Sequence, residues 1–336
     1  MRTGILAAGN FIIDYVKLIS AWPEQDMLAS ILSDSSSNGG GPYNVLKDLS
    51  AMGVGYPLEA CGLVGSDLNG DWILRDCAAA GIDTRQLHQT STAPTSYTDA
   101  MTVASTGRRT FFHQRGANAL FDESHVSFAE TTARHFHLGY LMLLDTMDTF
   151  ASAGRTHASL ALEAAQRAGL TTSVDIVSTE HAQFREIAES ALPFTDVLVI
   201  NEIEAGKVAG LELKSAQGVD VKACVTAART LLERGVRQQV VIHFVEGGIA
   251  VSKDGAVVKQ GSLNLPTGFI AGATGAGDAF AAGYLHGWHE GWDISRCLQI
   301  AVCAAAACLT HPTPSQGLRP VAECLKLGDS HGYRTL

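Results

Sequence analysis

Residues 225–245, VTAARTLLERGVRQQVVIHFV, change character halfway. The first part carries a helical pattern that stops at Gly235, where glycine is favoured just past a helix end. The second part, QVVIHFV (239–245), is almost continuously apolar and rich in β-branched residues. That is the mark of a parallel strand covered on both faces. The alternation recurs along the chain. GILAAG (4–9), LEACGLVG (58–65), HFHLGYLMLL (135–144), TTSVDIV (171–177) and DVLVI (196–200) read as strands. GPYNVLKDLSAMG, NGDWILRDCAAAG and ASLALEAAQRAG read as helices, each ending in glycine. Repeated β-α alternation predicts a three-layer α/β/α fold around a mostly parallel sheet.

Two segments leave this rhythm. Residues 11–37 and 95–114 read as antiparallel strands outside the main sheet, the second with a hairpin-like STGR turn. They are either edge strands or a small lid built from two insertions. The glycine-rich segments beside both favour the lid. The stretch SDSSSNGGGP (33–42) has the composition of a linker but runs into a helix start, where N–H donors and small residues allow close ligand approach.

Composition narrows the function. The 336 residues are 46% hydrophobic, enough for a sizeable core. A net charge of −10 argues against nucleic-acid binding. No apolar run reaches the roughly 18 residues of a membrane span. The segment MRTGILAAGNFIIDYVK is too interrupted for a signal peptide. The seven cysteines form no C-x-x-C pair, so reduced thiols and a cytoplasmic location are expected. P-loop and H-E-x-x-H motifs are absent, and GDSHG (328–332) matches G-x-S-x-G only by chance.

The stretch AGATGAGDAF (271–280) carries the chemistry. Glycine and alanine at 275–277 let successive backbone N–H groups point outward at a helix start, where the dipole adds positive charge. Asp278 follows at once and can accept a proton from a hydroxyl bound there. On these residues alone, an acid facing the helix dipole and a catalytic base are equally good readings.

Further segments carry a resemblance. GATGAGDAF is similar, from Thr274 on, to the D-T-x-G-A-G-D-x-F signature of the ribokinase-like (PfkB) family of sugar and nucleoside kinases. NGGGPYNVLKDLSAMG (38–53) resembles that family's G-G-x-x-x-N block through Gly39, Gly40 and Asn44. GLVGSDLNGDWILRDCAAAGID (62–83), NEIEA (201–205) and RRTFFHQRGAN (108–118) resemble other blocks, in the family's order, across about residues 5–320.

The resemblance implies one Rossmann-like kinase domain over residues 1–336, with a β-lid from about 11–37 and 95–114. It implies a lid that mediates dimerisation in relatives, so a homodimer is an expectation. The activity implied is ATP-dependent phosphorylation of a small sugar or sugar acid, with Asp278 as base and Gly275, Ala276 and Gly277 as anion hole. Asp14 and Asn44 resemble hydroxyl ligands, with Asn10 a further candidate. Asn201 resembles a residue near the nucleotide phosphates, and Glu204 one that orders Mg²⁺ through water. Arg115 either reaches an anionic acceptor or stands on the surface. Cys303 occupies a base-packing position or is simply a helix cysteine. A nucleoside kinase and a non-catalytic sugar or nucleotide sensor remain as alternatives.

Departures matter too. Gly272 replaces a signature Asp that helps hold a monovalent cation in many relatives, which argues against K⁺ activation. The usual T-x-G-x-x-G reads HFVEGG (243–248), so His243 and Gly248 stand at altered nucleotide contacts. Gly139 and Tyr140 replace an acid of ribose-specific relatives, which weakens ribose as the substrate.

Overall fold

The computed structural model describes residues 2–336. Its main sheet has nine strands. Seven of them run parallel. From one edge they are Asp83–Thr90, Leu58–Gly65, Gly4–Gly9, Ala133–Leu141, Thr171–Ile176, Val197–Asn201 and Gln239–Phe244. Gly247–Ser252 and Val257–Gly261 extend the other edge by antiparallel pairing. Their connection needs only a tight hairpin, whereas each parallel step needs a crossover.

The continuous apolar runs have a simple cause. Side chains alternate between faces along a strand. Leu6, Ala8, Leu198, Ile200, Val240 and Ile242 enter one core, while Ile5, Ala7, Val197, Val199 and Val241 enter the other. His157–Arg167, Phe184–Ala191 and Val221–Glu233 cover the first face. Gly41–Ala51, Ala276–His289 and Ile294–Cys308 cover the second. The result is a three-layer α/β/α fold. Among the described residues, no helix is long and apolar enough to cross a membrane.

A separate four-stranded sheet runs in the order Ile31–Gly39, Ile12–Ile19, Tyr97–Val103, Arg109–Gln114. It takes its strands from the two segments that break the β-α rhythm. Trp22 stacks on Phe112, and both remain half exposed.

Strand order reverses between Gly4–Gly9 and Ala133–Leu141. In open α/β sheets a crevice opens at such a point, beyond the carboxyl ends of the strands. Tyr140, Asp175, Asn201 and His243 lie at the carboxyl ends of four successive parallel strands.

Candidate active site

Gly275 is the N-cap of Ala276–His289, at φ 78°, a left-handed conformation that glycine adopts without strain. No side chain caps this helix start. Ala276 N makes one long bond to Ala273 O at 3.5 Å, and the remaining first-turn N–H groups lie beside the cleft with the helix dipole behind them. The turn is braced from behind. A methyl group on Gly275 would lie 2.5 Å from Pro314 Cβ. The Cys308 thiol donates to the carbonyls of Thr274 and Pro314, at 3.3 and 2.9 Å.

Asp278 lies in the first turn, buried, with both carboxylate oxygens engaged. Asn44 Nδ2 donates to Oδ2 at 2.7 Å, and the Tyr140 hydroxyl donates to Oδ1 at 2.5 Å. Burial lifts the Asp278 pKa to about 6, against the lowering effect of these two bonds. Asn44 is itself held, since its Oδ1 accepts from Asn38 Nδ2 at 2.7 Å. Gly41 leaves room for the Tyr140 ring, 2.8 Å from where a Cβ would stand.

Asp14 comes from the small sheet. Burial and the nearby Asp278 raise its pKa to about 7, while a hydrogen bond from Thr98 lowers it. Gly39 makes this position possible, because a Cβ there would meet both Asp14 carboxylate oxygens at 2.5 Å. Gly39→Ala is expected to push the Asp14 carboxyl aside and cost about 10²-fold in kcat/KM for the acceptor. The nucleotide KM should stay unchanged, and initial-rate kinetics against both substrates checks this.

Two cavities meet at the turn. One, of about 420 Å³, is polar and lined by Arg109, Tyr140, Asp175, Glu204, Thr274 and Asp278 among others. The other, of about 390 Å³, is largely apolar, with Leu263, Leu265, Ile270, Ala305 and Leu309 on its walls. Both are lined by Asn201, His243, Ala273, Ala276 and Gly277. Burial holds His243 neutral, its pKa lowered to about 4, and its ring packs on Phe280.

Asn201 caps Glu202–Ala209, its Oδ1 accepting from the N–H groups of Ile203 and Glu204 at 2.9 Å. Glu204 reciprocates by accepting from Asn201 N at 2.9 Å, and Ser178 donates to its other oxygen at 2.7 Å. Burial raises its pKa to about 7. Asp175 is pushed well above the usual carboxylate range by burial, Glu204 and Asp278. No group of three or more His, Cys, Asp or Glu residues that could hold a metal occurs among the described residues. Two buried carboxylates on one cavity wall still suit Mg²⁺, which keeps several waters and takes few protein ligands.

Four candidate residues have their contacts elsewhere in the fold, and for Cys303 and Arg115 this matches the structural alternative the sequence left open. Asn10 is fully buried and spent on structure, donating to Leu143 O at 3.0 Å and accepting from Tyr140 N at 2.6 Å. It holds the Tyr140 segment through the Tyr140 N–H. Cys303 faces Tyr333, 3.6 Å from its hydroxyl, while Val302, Ala305 and Ala306 line the apolar cavity. Gly248 supports Phe280, 2.8 Å from where its Cβ would stand, and Gly247 lines the cavity. Arg115 pairs with Asp145 at 2.6 Å, and Arg109 is the arginine that lines the polar cavity. Its guanidinium donates to Thr274 Oγ1 at 2.5 Å. The signal for Arg109 was the two-residue alternation of its strand, and for Asp175 a lone acid at the end of an apolar run. Gly40, at φ 90°, closes against the Asn10 carbonyl, and Gly272 packs on Pro312, with no room for a side chain.

Comparisons with known proteins identify the family and the fold. A family model described as pfkB family carbohydrate kinase matches residues 4–319. The chain is similar to an ATP-dependent ribose-1-phosphate kinase from Halopiger xanaduensis, 28% identical over 306 residues, covering 90% of each protein. It is 24% identical over 302 residues to a nucleoside kinase from Methanothermobacter thermautotrophicus, covering 90% of this chain and 88% of that one. The structure of Arabidopsis thaliana ribokinase complexed with ribose and ATP superposes with a TM-score of 0.79 at 21% identity, covering 97% and 99% of the two chains. The chain belongs to the pfkB family of carbohydrate kinases and is a phosphotransferase with an alcohol as acceptor.

Proposed function

We propose that the protein transfers the γ-phosphoryl group of ATP to a hydroxyl of a small sugar or sugar-like alcohol, with Asp278 as the base. One observation carries this reading: an acid and an uncapped helix start meet where a polar and an apolar cavity join. The apolar cavity suits a nucleobase and the polar one a polyol. The acceptor hydroxyl takes over one Asp278 oxygen from Asn44 or Tyr140. As its oxygen bonds to the γ-phosphorus, its proton passes to Asp278, and the bond to the β-phosphate oxygen breaks to release ADP. The Gly275–Gly277 amides meet the charge on the transferring group, and Arg109 adds a cation beside Thr274. Mg²⁺, when bound near Glu204 and Asp175, would neutralise phosphate charge. The small sheet brings Asp14 and Arg109 to the site, so it acts as a lid.

A second reading rests on Phe111. It is 59% exposed and lines the polar cavity, so its ring offers a stacking surface for the base of a nucleoside acceptor. ADP release across a panel of sugars, sugar acids, sugar phosphates and nucleosides tests both readings. Turnover with no member of the panel contradicts them. The base role also sets the pH dependence. Protonated Asp278 cannot accept a proton, so kcat/KM should fall about tenfold per pH unit below a midpoint near 6. A rate flat from pH 5 to 8 would remove Asp278 from the role.

A further inference from the structure

Asn38 joins parts of the site that lie far apart in the sequence. It stands next to the end of the strand Ile31–Gly39, and its side chain is buried. Its amide nitrogen makes two hydrogen bonds, one for each proton. One goes to Asn44 Oδ1 at 2.7 Å, on the helix Gly41–Ala51. The other goes to Ser315 Oγ at 2.9 Å, 277 positions away. Ser315 is also buried and follows Pro314 directly. Pro314 is the residue packed against Gly275, and its carbonyl accepts from the Cys308 thiol at 2.9 Å. A single amide therefore ties the brace of the anion turn to Asn44, which holds the base.

The direction of these bonds follows from Asp278 outward. An ionised carboxylate only accepts, so Asn44 turns its NH₂ group to Asp278 Oδ2 and its carbonyl to Asn38. Asn38 has then to present its own NH₂ group, and the same nitrogen reaches Ser315. An apolar residue at position 38 would leave the Asn44 carbonyl buried without a donor, and Asn44 would be free to turn away from Asp278. Other groups act on Asp278 as well. Asp14 faces it from the small sheet, Asp48 from the helix of Asn44, Tyr140 and Asp175 from the main sheet, and Cys308 from behind the turn. Arg109 lines the same cavity. Replacing Asn38 removes none of these groups.

We infer that Asn38 is a positioning residue for phosphoryl transfer, its amide clamping Ser315 to Asn44 so that the anion turn and the base keep one fixed relation. This rests on the kinase reading above. Transfer needs the hydroxyl on Asp278 and the phosphoryl group on the Gly275–Gly277 amides aligned at the same moment, and a misplacement of about 1 Å costs about 10²-fold. The two halves come from different segments, and the clamp holds both from the side away from the reacting atoms. Asn38 itself touches neither substrate in this account.

The test compares wild type, Asn38→Leu, Ser315→Ala and the double variant, with kcat and the pH profile of kcat/KM measured on the best acceptor of the panel. Asn38→Leu keeps the volume and should lower kcat about tenfold. The midpoint of its acid limb should rise by about one pH unit, because the bond that favours the Asp278 carboxylate is weakened. Ser315→Ala should lower kcat about threefold and leave the midpoint in place, since Asn38 still holds Asn44. The double variant should lose no more than Asn38→Leu alone, because one amide carries both contacts. The clamp is overturned if kcat falls in Asn38→Leu with the midpoint unmoved, which is damage to the fold alone, or if the two losses multiply. If Asn38→Leu does not fold, Ser315→Ala decides, and an unchanged kcat overturns the clamp. A wild-type profile flat from pH 5 to 8 overturns the base reading together with the clamp. A wild-type acid limb that stays in place in Asn38→Leu overturns the clamp alone.

Discussion

Asp278→Asn is expected to lower kcat by about 10²- to 10⁴-fold, the usual contribution of a general base. Asparagine keeps the volume and an oxygen for the Tyr140 hydroxyl, so acceptor and ATP KM should change little. Two opposed effects act on stability: the new amide N–H₂ faces the Asn44 Nδ2 donor and loses that bond, while a buried charge is removed. A buried acid with a raised pKa holds its proton more tightly in the folded chain than in the unfolded one. Its contribution to stability is greatest below the unfolded value and is lost as pH rises through about 6. At neutral pH the wild-type carboxylate is therefore a cost, which the neutral amide removes. A single cooperative thermal transition well above the assay temperature, beside the lost kcat, separates chemistry from folding. A loss of less than about tenfold would leave the proton to another group.

The second large effect concerns the anion turn. Gly275→Ala should lower kcat by about 10²- to 10³-fold, as expected when backbone donors leave a developing charge. Two physical causes act together. The residue sits at φ 78°, where a Cβ is strained, and the added methyl would collide with Pro314. The helix start has to shift, and the Gly277 and Asp278 amides shift with it. ATP KM should rise less than kcat falls, because the donors matter most where charge accumulates. Equal losses in kcat with an unbraced control, Gly291→Ala, would contradict this. Gly291 has a similar φ of 73° but open space around its Cβ.

The legible parts of the site are those whose chemistry is local. The Gly275–Asp278 turn lies within four residues, and Asn201 and Glu204 share one capping box. The strands were legible because two-sided burial leaves continuous apolar runs such as QVVIHF. Tertiary approach was not legible. Tyr140 reaches Asp278 across 138 positions, and Arg109 reaches Thr274 across 165. The role of Asn10 was not legible because a buried amide and a ligand amide look alike in sequence; the structure shows its two backbone partners. Cys303 is the helix cysteine that the sequence left as one alternative, and Gly248 lies one position from Gly247, which lines the cavity, a step that turns a strand residue to the other face.

The most direct test is the structure of the ternary complex with the acceptor and a non-hydrolysable ATP analogue. The account predicts the terminal phosphate on the Gly275–Gly277 amides, the base in the cavity of Leu263 and Ala305, and one acceptor hydroxyl within about 3 Å of Asp278. A terminal phosphate bound away from the turn, or an acceptor with no hydroxyl near Asp278, would contradict it.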